Sequence, residues 1–129
     1  MEQDITIYLA KATESLLTAE SEFANGRYNS CANRCYYACF QAAIAALLRE
    51  GIRQRGQWSH AFVQAQLVGV LINQRKRYDP ELRRVLSDNQ TLREKADYRP
   101  ELVSATQASR ALRRTRTFVA AVRQRGGVA

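Results

Sequence analysis

Arginine, tyrosine and carboxylate side chains cluster in two short stretches of this chain, and in combination they suit phosphate chemistry. The first stretch is Asn33-Arg34-Cys35-Tyr36-Tyr37-Ala38-Cys39-Phe40 and the second is Arg93-Glu94-Lys95-Ala96-Asp97-Tyr98. A guanidinium presents a planar fork of donors that matches two oxygens of a phosphate. Arg93 and Asp97 are four residues apart and share a helix face. They form either a plain surface ion pair, worth under ~1 kcal/mol, or a grip in which Arg93 holds a phosphate while Asp97 orients it or the neighbouring Arg34. Arg34 sits among small and aromatic residues. A partly buried arginine requires a partner, and Asp97 is the expected one. Tyr37 and Tyr98 are expected either to wall the same site or to be core tyrosines with the hydroxyl at the rim.

Cleaving a phosphodiester without metal takes a base, an acid and a cation for the developing charge. Arg93 supplies the cation, with Asp97 and Tyr98 as the remaining catalytic candidates. A carboxylate next to a guanidinium is a poor proton acceptor, which argues against strong nuclease activity. His60 is the only histidine. Its ring titrates near neutrality when unperturbed, and Arg55-x4-His60 has a suggestive spacing. Arg55 falls in a polar, glycine-containing loop, so His60 reads first as a helix-start or packing histidine and only second as a catalytic one. Cys31, Cys35 and Cys39 fall at intervals of four and form one helical stripe of small core residues. Three thiolates on one straight helix cannot surround a tetrahedral ion, so neither a metal nor another cofactor is expected. Phosphate-binding loops of the G-x-x-x-x-G-K-[ST] and G-x-G-x-x-G kinds are absent, as is G-x-S-x-G.

The elements that must position these groups read as helices throughout. Ile5, Leu9, Ala12, Leu16, Ala19 and Phe23 give a heptad-like stripe from Asp4 to Asn25, closed by Gly26. Tyr28 to Glu50 is apolar or small on two sides, with Ala32, Cys35, Tyr36, Cys39, Phe40, Ala43 and Leu47 on one and Ala38, Ala42 and Ala45 on the other. This marks a central helix, and the small-residue side would admit another helix, even one from a second subunit. Ser59 caps a third helix over His60–Gln74, which Arg75-Lys76-Arg77 closes. Asp79-Pro80 opens a fourth, which runs to Tyr98. Ser104-x-x-Gln107 is a capping box for the fifth, whose inner stripe is Ala108, Ala111, Leu112, Thr115, Val119 and Val122. Residues 126–129 are expected to fray. No strand pattern appears. Residues 1–129 therefore predict a single all-α domain, a five-helix up-and-down antiparallel bundle.

With 46% hydrophobic and 25% charged residues the composition is that of a soluble globular protein, and no apolar run reaches the ~18 residues of a membrane span. The polar N-terminus is no secretory signal, so a cytoplasmic location is expected. The net charge is +8, and after Glu101 there is no acid but six arginines. Arg110, Arg113, Arg114 and Arg116 are the candidate contacts to nucleic acid or to an acidic partner, against a solvated helix face that uses Arg as a helix former. No aromatic residue interleaves with them, so base stacking along this helix is not expected.

The run Gly26-Arg27-Tyr28 followed by Asn33-Arg34-Cys35-Tyr36-Tyr37-Ala38-Cys39-Phe40 resembles the second helix of HEPN domains. Ser59-His60 is similar to the start of that family's third helix, and Arg93 with Ala96-Asp97-Tyr98 is similar to its Arg-x-x-Ala-Asp-Tyr element. The resemblance implies an all-α bundle that forms a homodimer, often encoded beside a minimal nucleotidyltransferase as toxin and antitoxin. It also implies, for many members, a metal-independent ribonuclease built on Arg-x(4–6)-His. Here the fifth position after Arg93 is Tyr98 rather than histidine. The expectation is thus a dimeric module that binds a nucleotidyltransferase-type partner, or nucleotide or RNA phosphates, through Arg34, Tyr37, Arg93, Asp97 and Tyr98. The alternatives are a ribonuclease toxin and a purely structural interaction bundle in which Arg34 and Asp97 only fix register.

Overall fold

In the computed structural model, which describes residues 2–125, the chain folds into α1 (Glu2–Ala24), α2 (Tyr28–Arg49), α3 (His60–Gln66), α4 (Val85–Tyr98) and α5 (Ala105–Arg125). No strand occurs among the described residues. The expected fraying at 126–129 lies outside them. None of these helices is long and apolar enough to cross a membrane.

The stops and starts follow from local chemistry. Gly26 and Gly51 end α1 and α2 at φ +74° and +79°, a backbone state that costs glycine nothing. The Ser59 hydroxyl accepts from the Phe62 amide (3.2 Å) and the Asp79 carboxylate from that of Glu81 (2.8 Å). The capping box before α5 is reciprocal. Ser104 Oγ accepts from the Gln107 amide (3.1 Å) while Gln107 Oε1 accepts from the Ser104 amide (3.0 Å).

Two segments depart from plain α-helix. Leu67–Gln74 continues α3 as a π-helix, with the Arg75 amide reaching back five residues to the Val70 carbonyl (2.8 Å). The wider turn brings residues four and five apart onto one side, and Leu67, Leu71 and Ile72 are accordingly all buried. Pro80–Arg84 is a 3₁₀ turn leading into α4.

α2 is the central rod and packs against α1, α4 and α5. Ala38, Ala42 and Ala45 are fully buried within this chain. The small-residue side of α2 is therefore occupied by the chain's own helices and is not left open for a second subunit. Cys31, Cys35 and Cys39 are free and buried, as small core residues.

Cross-links between helices give their directions. Asn33 meets Asp97 and Cys39 meets Asn89, so α4 runs antiparallel to α2. Asn29 meets Val103 and Arg49 meets Val122, so α5 runs parallel to it. α3 breaks the up-and-down alternation. His60 lies beside Tyr36, while Arg75 beyond the π-helix bonds the Glu50 carbonyl (3.0 Å). Residues 51–59 thus carry the chain back along the bundle, and α3 rises alongside α2 in the same direction. That return brings His60 to the middle of α2.

Candidate functional site

The site grows from the face of α2 that α4 covers. Burying Cys35 and Cys39 forces the neighbouring positions Asn33, Arg34 and Tyr37 to the edge of the α2–α4 seam, where each is partly buried. On α4, burial of Asn89 and Leu92 places Gln90, Arg93 and Asp97 along the same seam.

Arg93 is the best-held cation there, its side chain only 14% exposed. Its Cζ lies 4.7 Å from the Tyr36 ring centroid, 5.8 Å from Tyr37 and 6.0 Å from Tyr98. Partly desolvated cation–π contacts of this kind contribute on the order of 1–2 kcal/mol. Gln90 Oε1 accepts from Nε (3.1 Å) and Nη2 (3.0 Å), and Asp97 Oδ2 accepts from Nη1 at 3.4 Å. A guanidinium has five N–H groups; Gln90 takes two of Arg93's, Asp97 one and the Tyr98 hydroxyl another, which leaves one for a ligand. Burial opposes the Arg93 charge, but Tyr98, Tyr37, Tyr36 and Asp97 together hold it more firmly protonated than usual.

Arg34 is not paired to Asp97 as the sequence suggested. Its Nε and Nη2 donate to Asn33 Oδ1 (2.9 and 2.6 Å), and it stacks 4.9 Å above Tyr37. Asn33 in turn donates through Nδ2 to Asp97 Oδ2 (3.0 Å). An amide can accept from one guanidinium and donate to a carboxylate at once, so Asn33 links the two arginines through Asp97. Arg34, Asn33 and Asp97 line one hollow of about 360 Å³, which Glu22 and Thr18 of α1 close on the far side.

Tyr36 is buried and its ring stacks 5.6 Å from Phe40, with Tyr37 edge-on at 5.1 Å. Its hydroxyl lies 3.0 Å from His60 Nδ1. Burial raises the Tyr36 hydroxyl to about 12, so it keeps its proton at neutral pH. The His60 ring is held below its ordinary value by burial and by the Arg93 charge, with Glu94 opposing, and it is neutral at pH 7. His60 and Arg93 thus flank the same tyrosine ring, an association that the spacing Arg55-x4-His60 does not express. Tyr98, at 74% exposure, forms the open lip.

The structure therefore brings Arg34, Tyr37, Arg93, Asp97 and Tyr98 together and adds His60. Asn33, Tyr36 and Gln90 complete the arrangement. Gln90 carries a sequence signal, since residues three apart on a helix are neighbours. The arginines of α5 lie elsewhere. Arg116 pairs with Glu20 of α1 at 2.7 Å, on the side away from Arg110, Arg113 and Arg114. Chemically the seam offers a fixed guanidinium walled by aromatic rings, a second guanidinium within one relay, and a neutral imidazole. Among the described residues no three His, Cys, Asp or Glu side chains converge as metal ligands would.

A family model for the HEPN domain matches residues 5–125 of this chain, nearly its whole length. A comparison with curated proteins found no match.

Proposed function

This chain belongs to the HEPN domain family, and from that premise we propose that it is a binding module for the phosphates of a nucleotide or an RNA. Arg93 is the phosphate ligand, Arg34 a second cation, Tyr37 and Tyr98 the walls, and Asp97 with Asn33 the relay that orients both guanidinium groups. The observation that carries this reading is the state of Arg93. It is stacked on Tyr36 at 4.7 Å, locked by Gln90, and keeps one N–H beyond those that Gln90, Asp97 and Tyr98 engage. A guanidinium fixed in advance loses little entropy when it binds. The module works as a homodimer in a toxin–antitoxin-like pair with a nucleotidyltransferase-type partner, as the family resemblance suggests. Titration calorimetry with mononucleotides and short oligoribonucleotides tests the binding. Binding that Arg93→Ala abolishes, in a protein of unchanged helical content and dimeric mass by light scattering, supports the reading. No heat with any of these ligands overturns it.

A second reading, a metal-independent ribonuclease, rests on His60. A neutral imidazole 3.0 Å from the Tyr36 hydroxyl and within the field of Arg93 has the protonation state that a general base needs near pH 7. Cleavage of a fluorogenic RNA that persists in EDTA and disappears in His60→Ala distinguishes the enzyme from the binder.

A further inference from the structure

We propose that the groove between α4 and α5 binds the phosphodiester backbone of a nucleic acid, at a surface separate from the Arg93 seam. Arg84, at the end of the 3₁₀ turn, and Asp88, Thr91 and Lys95 of α4 are spaced four, three and four residues apart and share one stripe, opposite to Arg93. Arg110, Arg113, Arg114 and Thr117 face them from α5. Two adjoining hollows of about 310 and 360 Å³ share Arg110 and Arg114 and form one continuous groove. Five cations line it, against the carboxylates of Glu81 and Asp88. Asp88 is already engaged by Arg84 at 3.4 Å. Arg110 and Arg113 are exposed and have no acceptor among the described residues.

Arg114 shows that the groove is built from within the bundle. Its Nε donates to Asn89 Oδ1 at 2.6 Å. Asn89 is 1% exposed, and its own Nδ2 donates to Thr115 Oγ1 (2.9 Å) and to Cys39 Sγ (3.1 Å). A buried polar network joining α2, α4 and α5 thus fixes the direction of one surface guanidinium. Apolar residues at these positions would fill the same space, but nothing would then aim Arg114. Lys95 is likewise steadied, by Gln107 Oε1 at 3.1 Å.

The lining decides the kind of partner. A protein interface is anchored by aromatic or aliphatic groups at its centre. Here the aliphatic part of the lining, Leu82, Val85 and Leu92, is the floor and at most 9% exposed, the cations form the walls, and no aromatic side chain lines the groove. Without aromatics there is no base stacking, so binding is through phosphates and independent of sequence. From Arg84 to Lys95 the stripe runs roughly 16 Å along α4, enough for several successive phosphates of one strand.

Fluorescence anisotropy of the full chain with a labelled RNA duplex, titrated between 50 and 200 mM salt, tests this. Releasing a counterion for each of five contacts gives a log–log slope near −4.5 for a duplex and near −3.5 for a single strand. Arg110→Ala with Arg113→Ala should flatten the slope by about 2 and weaken binding at 100 mM salt roughly 10–100-fold. Arg116→Ala with Arg123→Ala, which removes the same charge from the α1 side of the helix, should cost less than about threefold. In an Arg93→Ala background the further flattening by Arg110→Ala with Arg113→Ala should persist at about 2, so failure here and failure at the Arg93 seam are told apart. Equal losses from the two arginine pairs, or poly-glutamate competing as well as RNA, would overturn the proposal.

Discussion

Replacing Asn89 by alanine probes the buried network on which the bundle's register and the aim of Arg114 both depend. The mutation removes an acceptor 2.6 Å from the Arg114 guanidinium and a donor 2.9 Å from the Thr115 hydroxyl. A charge-assisted bond is worth about 1.5–3 kcal/mol and a neutral one about 1 kcal/mol. Arg114 is only half-buried and can turn to water, so the first figure falls to about 1 kcal/mol. Thr115 keeps its bond to the Ala111 carbonyl (2.6 Å), so it is not orphaned by the change. The small cavity adds to the cost. The net expectation is a loss of about 2–3 kcal/mol, or roughly 10 °C in Tm for a chain of this size. Urea denaturation followed by far-ultraviolet circular dichroism reads it. In a double-mutant cycle with Arg114→Ala, a coupling of about 1 kcal/mol is expected. A loss below about 1 kcal/mol, with zero coupling, would refute the claim that Asn89 ties α4 to α5 and positions Arg114.

Two further outcomes follow from groups already described. Burial and the Arg93 charge hold the His60 ring below its ordinary value of 6.5, so the unfolded chain takes up a proton near that pH before the folded one does. Stability therefore rises with pH through the window just below 6.5 and is lost as the pH falls through it. The urea midpoint should drop between pH 7 and pH 5.5, and His60→Gln should flatten that drop; an unchanged slope in the variant contradicts the placement of His60 in a desolvated pocket. Ser104→Ala removes the cap accepted from the Gln107 amide (3.1 Å) and should cost about 1 kcal/mol, read from the thermal midpoint, whereas Thr106→Ala on the exposed first turn should cost less than about 0.5 kcal/mol.

Much of this fold was legible in the residues because it is specified locally. Gly26, Gly51, Ser59, Asp79 and the Ser104–Gln107 box each mark a helix end by the backbone group they satisfy or the φ they permit. The central role of α2 follows from apolar residues on two faces. What the residues did not express are properties of the assembled bundle. The direction of α3 depends on how residues 51–59 run back along α2, and no periodicity records that path. His60 does start α3, but its place beside Tyr36 and Arg93 follows from that path and not from its position in the chain. The π-helix over Leu67–Gln74 was invisible because an unbroken apolar run fits either helical period.

The site was legible in composition and not in connectivity. Arg34, Arg93, Asp97 and the tyrosines converge as their positions on α2 and α4 suggested. The partner of Arg34 is Asn33, at 2.6 and 2.9 Å, because the adjacent amide reaches the guanidinium and Asp97 together. Arg116 looked equivalent to Arg110, Arg113 and Arg114 in a basic helix, yet one helical step turns it toward Glu20 of α1.

The central claim is that the Arg93 guanidinium, already fixed by Gln90 and Tyr36, is the group that meets a phosphate. Arginine side-chain NMR of the full chain, titrated with a nucleotide and then with a short oligoribonucleotide, addresses it directly. The account predicts that the Arg93 Nε–H resonance shifts in step with the binding isotherm and that Arg93→Lys weakens binding at least tenfold, a difference of about 1.4 kcal/mol. Saturable binding that leaves this resonance unmoved, or a lysine variant that binds as well as the parent chain, would contradict it.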